Sequence, residues 1–214
     1  APENIKNKNL KIIKFIIQKR YLSDLPLFKN LPQFLNKNKS LRGKWNRCLN
    51  LLNRKEGRKH ILCRSLSLET YKDAIEIINN WKTQKDKEKD YYIENHIITK
   101  HHVFRKNLMM VADVLKRPYL YESIILYCNG YPRGIKVAFK IEKSQNISDS
   151  VSCTDRAINK TSIVLTLLFF EALANKGYKY FNWGSSYLPS IDKFKLQFNP
   201  IDYEYSYEYL IEFK

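Results

Sequence analysis

A chain of 214 residues with a formal charge of +17 has room for one large domain, or for one domain plus part of another, and favours polyanionic partners such as RNA, anionic lipid or a phosphate-rich cofactor. Its 44% hydrophobic and 14% aromatic content excludes a disordered chain. The longest apolar run, Ile163 to Phe170, is far short of the roughly 20 residues needed to cross a bilayer.

From Ile5 to Arg20, Ile12, Ile13, Phe15, Ile16 and Ile17 mixed with lysines give a helical pattern. Pro26 and Pro32 then break the chain. Residues 1–40 read as a helical arm or the remnant of a preceding domain, and residues 41–214 as the main domain. A second helix is expected from Leu41 to about Lys55, with Trp45, Leu49 and Leu52 at helical spacing and Arg42, Lys44 and Arg47 on the other turns. That basic side is either a solvated face or a rail for phosphates. His60 to Leu66 reads as a strand. Ser65 or Ser67 then caps a helix through Tyr71, Ile77 and Trp81, which dissolves into the mixed-charge loop Lys82 to Asp90. A fourth helix runs through Val103 to Leu115.

The pattern changes at Pro118. Ser123 to Cys128 and Gly134 to Ile141 are strands, and Asn129-Gly130 is a hairpin signal between them. Glu142 to Ser150 reads as a polar connection and Val151 to Thr154 as a short strand. A long apolar helix opens at Thr161 or Ser162, reaches Lys176 and stops at Gly177. A strand from Tyr178 to Trp183, a loop from Gly184 to Pro189, a short helix capped by Ser190 and a final strand from Tyr203 to Phe213 complete the chain. The order predicts an α/β (α+β) fold, a mixed sheet with helices on both faces, with the Val137 strand beside the Phe181 strand.

Metal chemistry is not expected. His96, His101 and His102 complete no ligand spacing with Asp90 or Glu94. Cys48, Cys63, Cys128 and Cys153 form no CxxC pair and are expected to be reduced.

The run from Leu173-Ala174-Asn175-Lys176-Gly177-Tyr178 through Asn182-Trp183-Gly184-Ser185-Ser186 to Phe194-Lys195-Leu196-Gln197-Phe198 resembles the end of the Fem-like branch of the GNAT superfamily. That branch includes peptidoglycan-bridge aminoacyltransferases and phosphatidylglycerol lysyltransferases. Leu41 to Asn50 resembles the basic entry helix of the lysyltransferase-like members, and Ile77 to Trp81 their helix ending in tryptophan. Two departures stand beside the likeness. The Phe-Lys helix motif carries one extra residue, and no glycine-rich pyrophosphate loop precedes Thr161, where Asp155-Arg156-Ala157-Ile158-Asn159-Lys160 stands instead.

The resemblance implies a GNAT-like fold and transfer of an aminoacyl group from aminoacyl-tRNA to an amine or hydroxyl acceptor: a lipid headgroup, a peptide or a cell-wall precursor. Acyl-coenzyme A is the alternative donor, and a non-catalytic RNA- or membrane-binding module the alternative role. No tightly bound cofactor is expected. Lys195 is the candidate for donor binding or oxyanion stabilisation, Asp155 for a base or amine anchor, and Asn182 with Ser185 and Ser186 for ligand contacts at the glycine turn. Arg156 and Lys160 at a helix N-terminus, with Arg42, Lys44 and Arg47, are the candidate phosphate ligands. Tyr187, Tyr203, Tyr205 and Tyr207 are candidates for stacking on bases or resting at a headgroup layer. The expected location is cytoplasmic, with tRNA or the inner membrane surface as partner.

Overall fold

Asn129 and Gly130, with φ of +53° and +82°, form the tight turn of a hairpin between β3 (Tyr121–Cys128) and β4 (Tyr131–Lys140). Two successive left-handed residues match the twist of antiparallel strands, which is why an Asn-Gly pair stands there. The computed structural model of the protein describes residues 10–56, 61–86, 100–141, 144–155, 160–186 and 189–213. It divides into two compact units, one of Asp24–Asn182 and one of Ala1–Ser23 with Trp183–Lys214.

In the larger unit the strand order is β2-β3-β4-β5-β6. β2 (Ile61–Arg64) is antiparallel to β3, and β5 (Asn146–Thr154) is antiparallel to β4. The β4–β5 ladder slips once: Val137 faces Val151, but Ala138 faces Asp149, so Ser150 forms a bulge. β6 (Tyr180–Ser186) runs parallel to β5 through three registers, Asn146 with Tyr180 to Ser148 with Asn182.

Alternation along these strands loads both faces. On one, α3 (Tyr71–Asp86) and α4 (Lys100–Lys116) bury Ala74, Ile77, Ile78, Val111 and Val114 against Ile125, Ile135, Val137 and Val151. On the other lies α5 (Thr161–Asn175), apolar nearly all round. Phe169 and Phe170 meet the ring of Phe181. Gly134 lets α5 approach closely, since an added Cβ would sit 3.0 Å from Leu165 Cδ2 and 3.1 Å from Thr154 Cγ2. α1 (Leu31–Lys37), α2 (Lys39–Glu56) and the 3-10 turn Leu25–Phe28 pack against α5 in turn, with the Phe28 ring 4.9 Å from that of Phe170. Gly177, at φ +90°, ends α5 as Tyr178 N–H donates back to Leu173 O.

The smaller unit contains β1 (Leu10–Asp24), paired antiparallel with β7 (Asp202–Phe213), the end of β6 next to β1, and α6 (Pro189–Leu196). Trp183 packs on Phe194 and Phe198, and its indole N–H donates to the buried Ser23 hydroxyl at 2.8 Å.

This is the two-faced mixed-sheet architecture expected of a GNAT-like fold. Four local expectations need correction. The helix read over Ile5–Arg20 is strand β1 from Leu10 onward, because its β-branched residues find a twelve-residue partner in β7. The polar connection 142–150 is half strand: β5 starts at Asn146 and lies between the Val137 and Phe181 strands, which are therefore not neighbours. α3 continues to Asp86 through half of the expected loop, and Thr70, rather than Ser65 or Ser67, organises its start, accepting from Ser67 N–H and donating to Ser65 O. β6 extends to Ser186 where a loop was expected, and α6 begins at Pro189.

Glu122 of β3 ties three segments together. It binds Lys140 of β4 at 3.1 Å and Lys176 after α5, and accepts from the Tyr178 hydroxyl at 3.0 Å. Burial pushes its carboxyl up, but the hydrogen bonds and charges of Lys176 and Lys140 outweigh burial and hold it below the usual glutamate range. A depressed carboxylate stabilises the fold above its unfolded pKa, and that contribution is lost as pH falls through the folded value. Glu122→Gln should therefore cost about 1–3 kcal/mol near neutrality and shrink to little in acid. Thermal melts of both proteins from about pH 7 down to about pH 3 check this: the two Tm curves converge as the pH drops below about 4.3.

Candidate functional site

α2 packs against α5, and the way it docks decides which basic residues meet. Among the described side chains of α2, Leu41 and Cys48 are buried, two turns apart, and the Cys48 thiol hydrogen-bonds the buried Thr161 hydroxyl in the first turn of α5. This seat puts the intervening turn of α2 beside the start of α5. Burial, then the nearby charges of Lys160 and Arg47, push the Lys44 ammonium below the usual lysine range. Lys44, Arg47 and Lys160 are thus one like-charged cluster at a helix N-terminus. Lys160 takes a left-handed backbone, φ +72° and ψ +9°, and provides no side-chain cap to α5. A non-glycine residue held there costs about 1 kcal/mol, a local strain of the kind concentrated where ligands bind. A helix start without a side-chain cap, where the charges of Lys160 and Arg47 bear on Lys44, can hold a phosphate or other anion.

Of the other residues singled out in the sequence, Arg42 reaches back to Asn36 Oδ1 at 3.3 Å, and Arg156 lies outside the described residues. Asp155 is engaged on both oxygens, by Arg133 Nη1 at 2.9 Å and Gln84 Nε2 at 3.0 Å, which pins the end of β5 to β4 and α3. Asn182 stands on β6 opposite Ser148, at the last parallel register. Ser185 and Ser186 end β6, and their side chains are outside the described set, as are those of Tyr187, Tyr203, Tyr205 and Tyr207.

Lys195, in the smaller unit, is not a surface residue. It is 4% exposed, its ammonium donates to Gly184 O at 2.8 Å, and it lies 5.9 Å from the centre of the Tyr21 ring. Gly184 turns its carbonyl with φ +66°, a conformation that favours glycine and explains Gly184 in this strand end. The ammonium is thus held on a backbone carbonyl beside an aromatic ring.

Sequence reasoning missed a buried ion pair in the middle of the sheet. Lys136 of β4 is 1% exposed, and its ammonium meets Asp149 Oδ1 of β5 at 2.9 Å and lies 5.3 Å from the centre of the Phe181 ring. The available signal was a lysine between apolar neighbours in a strand. Among the described residues no group of histidine, cysteine and carboxylate side chains forms a metal site. A shallow cleft beside β2, lined by Cys63, Ile124, Phe169 and Leu173, gathers none of the predicted site residues, and its carboxylate is the saturated Glu122.

No protein-family profile matches the chain, and no curated protein matches it in sequence. Solved structures do match in fold. A conserved protein of unknown function from Bacteroides thetaiotaomicron superposes with a TM-score of 0.62 at 13% identity, over 96% of this chain and 64% of its own. The C-terminal domain of a lysylphosphatidylglycerol synthetase of Agrobacterium fabrum gives 0.54 at 13% identity, over 91% and 60%. L-PGS from Bacillus licheniformis gives 0.53 at 14% identity, over 91% and 61%. The chain therefore spans about three fifths of the length of these structures. At such identities the likeness is one of fold.

The four cysteines are free thiols. Burial pushes Cys48 and Cys63 up to about 11 and Cys153 up to about 12, so all three are protonated at neutral pH. Alkylation of the native protein by iodoacetamide at about pH 7.5 should consequently be far slower than after unfolding in guanidinium. Mass spectrometry of the labelled peptides reads this; rapid native labelling of Cys63 or Cys153 contradicts it.

Proposed function

We propose that the protein is a GNAT-like transferase that moves an aminoacyl group from aminoacyl-tRNA to an amine or hydroxyl of a lipid, peptide or cell-wall precursor. The observation that carries this reading is the cluster of Lys44, Arg47 and Lys160 at the uncapped start of α5. Acyl transfer requires a docked donor, a group that stabilises the oxyanion and a proton acceptor. The cluster serves the first by holding donor phosphate, and the buried Lys195 ammonium serves the second. The charge of +17 favours a long polyanion over a small one. Likeness of fold to the C-terminal domain of a lysylphosphatidylglycerol synthetase and to L-PGS supports a lipid headgroup among the acceptors.

Acyl-coenzyme A is the second reading, favoured by the compactness of the same cluster, which matches a few phosphates on one group. With either donor, the location we propose is the cytoplasm. No helix among the described residues is long and apolar enough to cross a membrane.

Salt separates the donors. Docking over many tRNA phosphates weakens steeply with ionic strength, whereas coenzyme A gives a shallower slope. Incubation with labelled aminoacyl-tRNA and, separately, labelled acetyl-coenzyme A should show binding and discharge of the tRNA at about 50 mM salt, largely lost several-fold higher. Lys44→Glu with Lys160→Glu should abolish that binding. Lys195→Ala should lower transfer by about 10²-fold or more while changing tRNA retention little. Saturable coenzyme A binding without tRNA retention at low salt would favour the second reading.

A further inference from the structure

The chain enters and leaves the connection between β5 and α5 through anchored residues. On the far side, Thr161 is tied to Cys48 of α2. On the near side stands Asp155, one residue past β5. Its N–H donates to Arg133 O at 2.7 Å, carrying the β4–β5 ladder one step beyond the Gly134–Thr154 pair. Its Oδ2 accepts from Arg133 Nη1 at 2.9 Å, and its Oδ1 accepts from Gln84 Nε2, on the last turn of α3, at 3.0 Å. The Arg133 guanidinium also lies 5.5 Å from the centre of the Tyr131 ring. One residue is thus gripped by a strand and a helix, both distant from it in sequence.

Stability alone is a weak account of this grip. The Arg133 and Asp155 side chains are 23% and 15% exposed, and a partly exposed ion pair adds little to a fold. The strand end is already paired through Gly134 and Thr154. What the grip fixes is the point from which the chain departs for α5. Only residues 156–159 separate Asp155 from Lys160, so a displacement of one is carried over few bonds to the other. Binding groups work only when their supports hold them in place.

We infer that Gln84, Asp155 and Arg133 form a clamp that positions the donor-phosphate seat, holding the start of the connection so that Lys160 stands with Lys44 and Arg47. The inference rests on the reading of that cluster as a phosphate seat. Asp155 touches no donor atom in this role and acts through Lys160. Its charge is spent on Arg133, which is why a carboxylate is tolerated five positions before a residue that meets anions. The clamp makes an unusual demand on sign. By Coulomb's law alone, taking a negative charge away from an anion site tightens anion binding. If Asp155 positions the seat, its neutralisation loosens binding instead.

The probe is inorganic pyrophosphate, a small anion that reports on the seat without the rest of a donor. Its binding is measured by isothermal titration calorimetry in wild type, Gln84→Leu, Asp155→Asn and Lys44→Glu/Lys160→Glu, with the fold followed by circular dichroism. Gln84→Leu leaves the net charge unchanged, removes one arm of the clamp and should weaken binding about 3- to 10-fold. Asp155→Asn makes the protein more positive, yet should weaken binding by about 10-fold. In transfer assays with the labelled donor that wild type discharges, both variants should raise the donor KM by similar factors and change kcat less than about twofold. If Asp155→Asn fails to fold, Gln84→Leu decides alone. Folded variants that bind pyrophosphate as well as wild type or better, while Lys44→Glu/Lys160→Glu abolishes binding, overturn the clamp and leave the seat intact. A loss confined to kcat does the same. Wild-type protein that binds no pyrophosphate, or whose binding survives Lys44→Glu/Lys160→Glu, overturns seat and clamp together.

Discussion

The seating of one apolar helix governs the rest of the larger unit. α5 buries ten of its fifteen residues, so it must be covered on the side away from the sheet as well as on the side against it. Gly134 admits it to the sheet, and the aromatic contacts of Phe169 and Phe170 with Phe181 fix its rotation. The outer side then recruits Phe28 and the α1–α2 pair. An apolar helix with two covered sides has its N-terminus held in place, and α2 lies against it through Cys48 and Thr161. The cationic cluster is a by-product of that docking: three residues from two helices converge because an apolar surface had to be covered.

Elements with a local cause were legible in the sequence, and elements with a distant cause were not. The Asn129-Gly130 hairpin, α5 with its stop at Gly177, and the aromatic last strand each follow from residues within a few positions of one another. β1 does not. Ile12, Phe15 and Ile16 fit a helical period as well as a strand, and the decision comes from β7, at the other end of the chain. β5 fails for the opposite reason. Asn146, Ser148, Asp149 and Ser150 have poor strand propensity, and pairing with β4 on one side and β6 on the other overrides it.

The candidate site divides in the same way. That Lys44 and Arg47 are basic residues of a helix is visible from spacing, but their meeting with Lys160 requires the fold. Lys195 was legible as a motif residue, yet its burial depends on the Trp183, Phe194 and Phe198 cluster and on a carbonyl turned by Gly184. Asp149 left no local trace at all, since an aspartate in a polar stretch reads as a loop residue. Its partner is an ammonium on the neighbouring strand.

Three carboxylates of the larger unit show that the role of a side chain follows from its partners rather than from residue type. Glu122 accepts from two ammonium groups and a phenol, and Asp155 from a guanidinium and an amide. Both are saturated, and saturated acceptors hold strands and helices together without reserve for a ligand. Asp149 has the same functional group and meets one buried ammonium. The basic residues at the start of α5 follow the same logic: the charges of Lys160 and Arg47 bear on the Lys44 ammonium at a helix terminus that itself favours negative charge, so their joint effect is set by the fold and not by any one residue type.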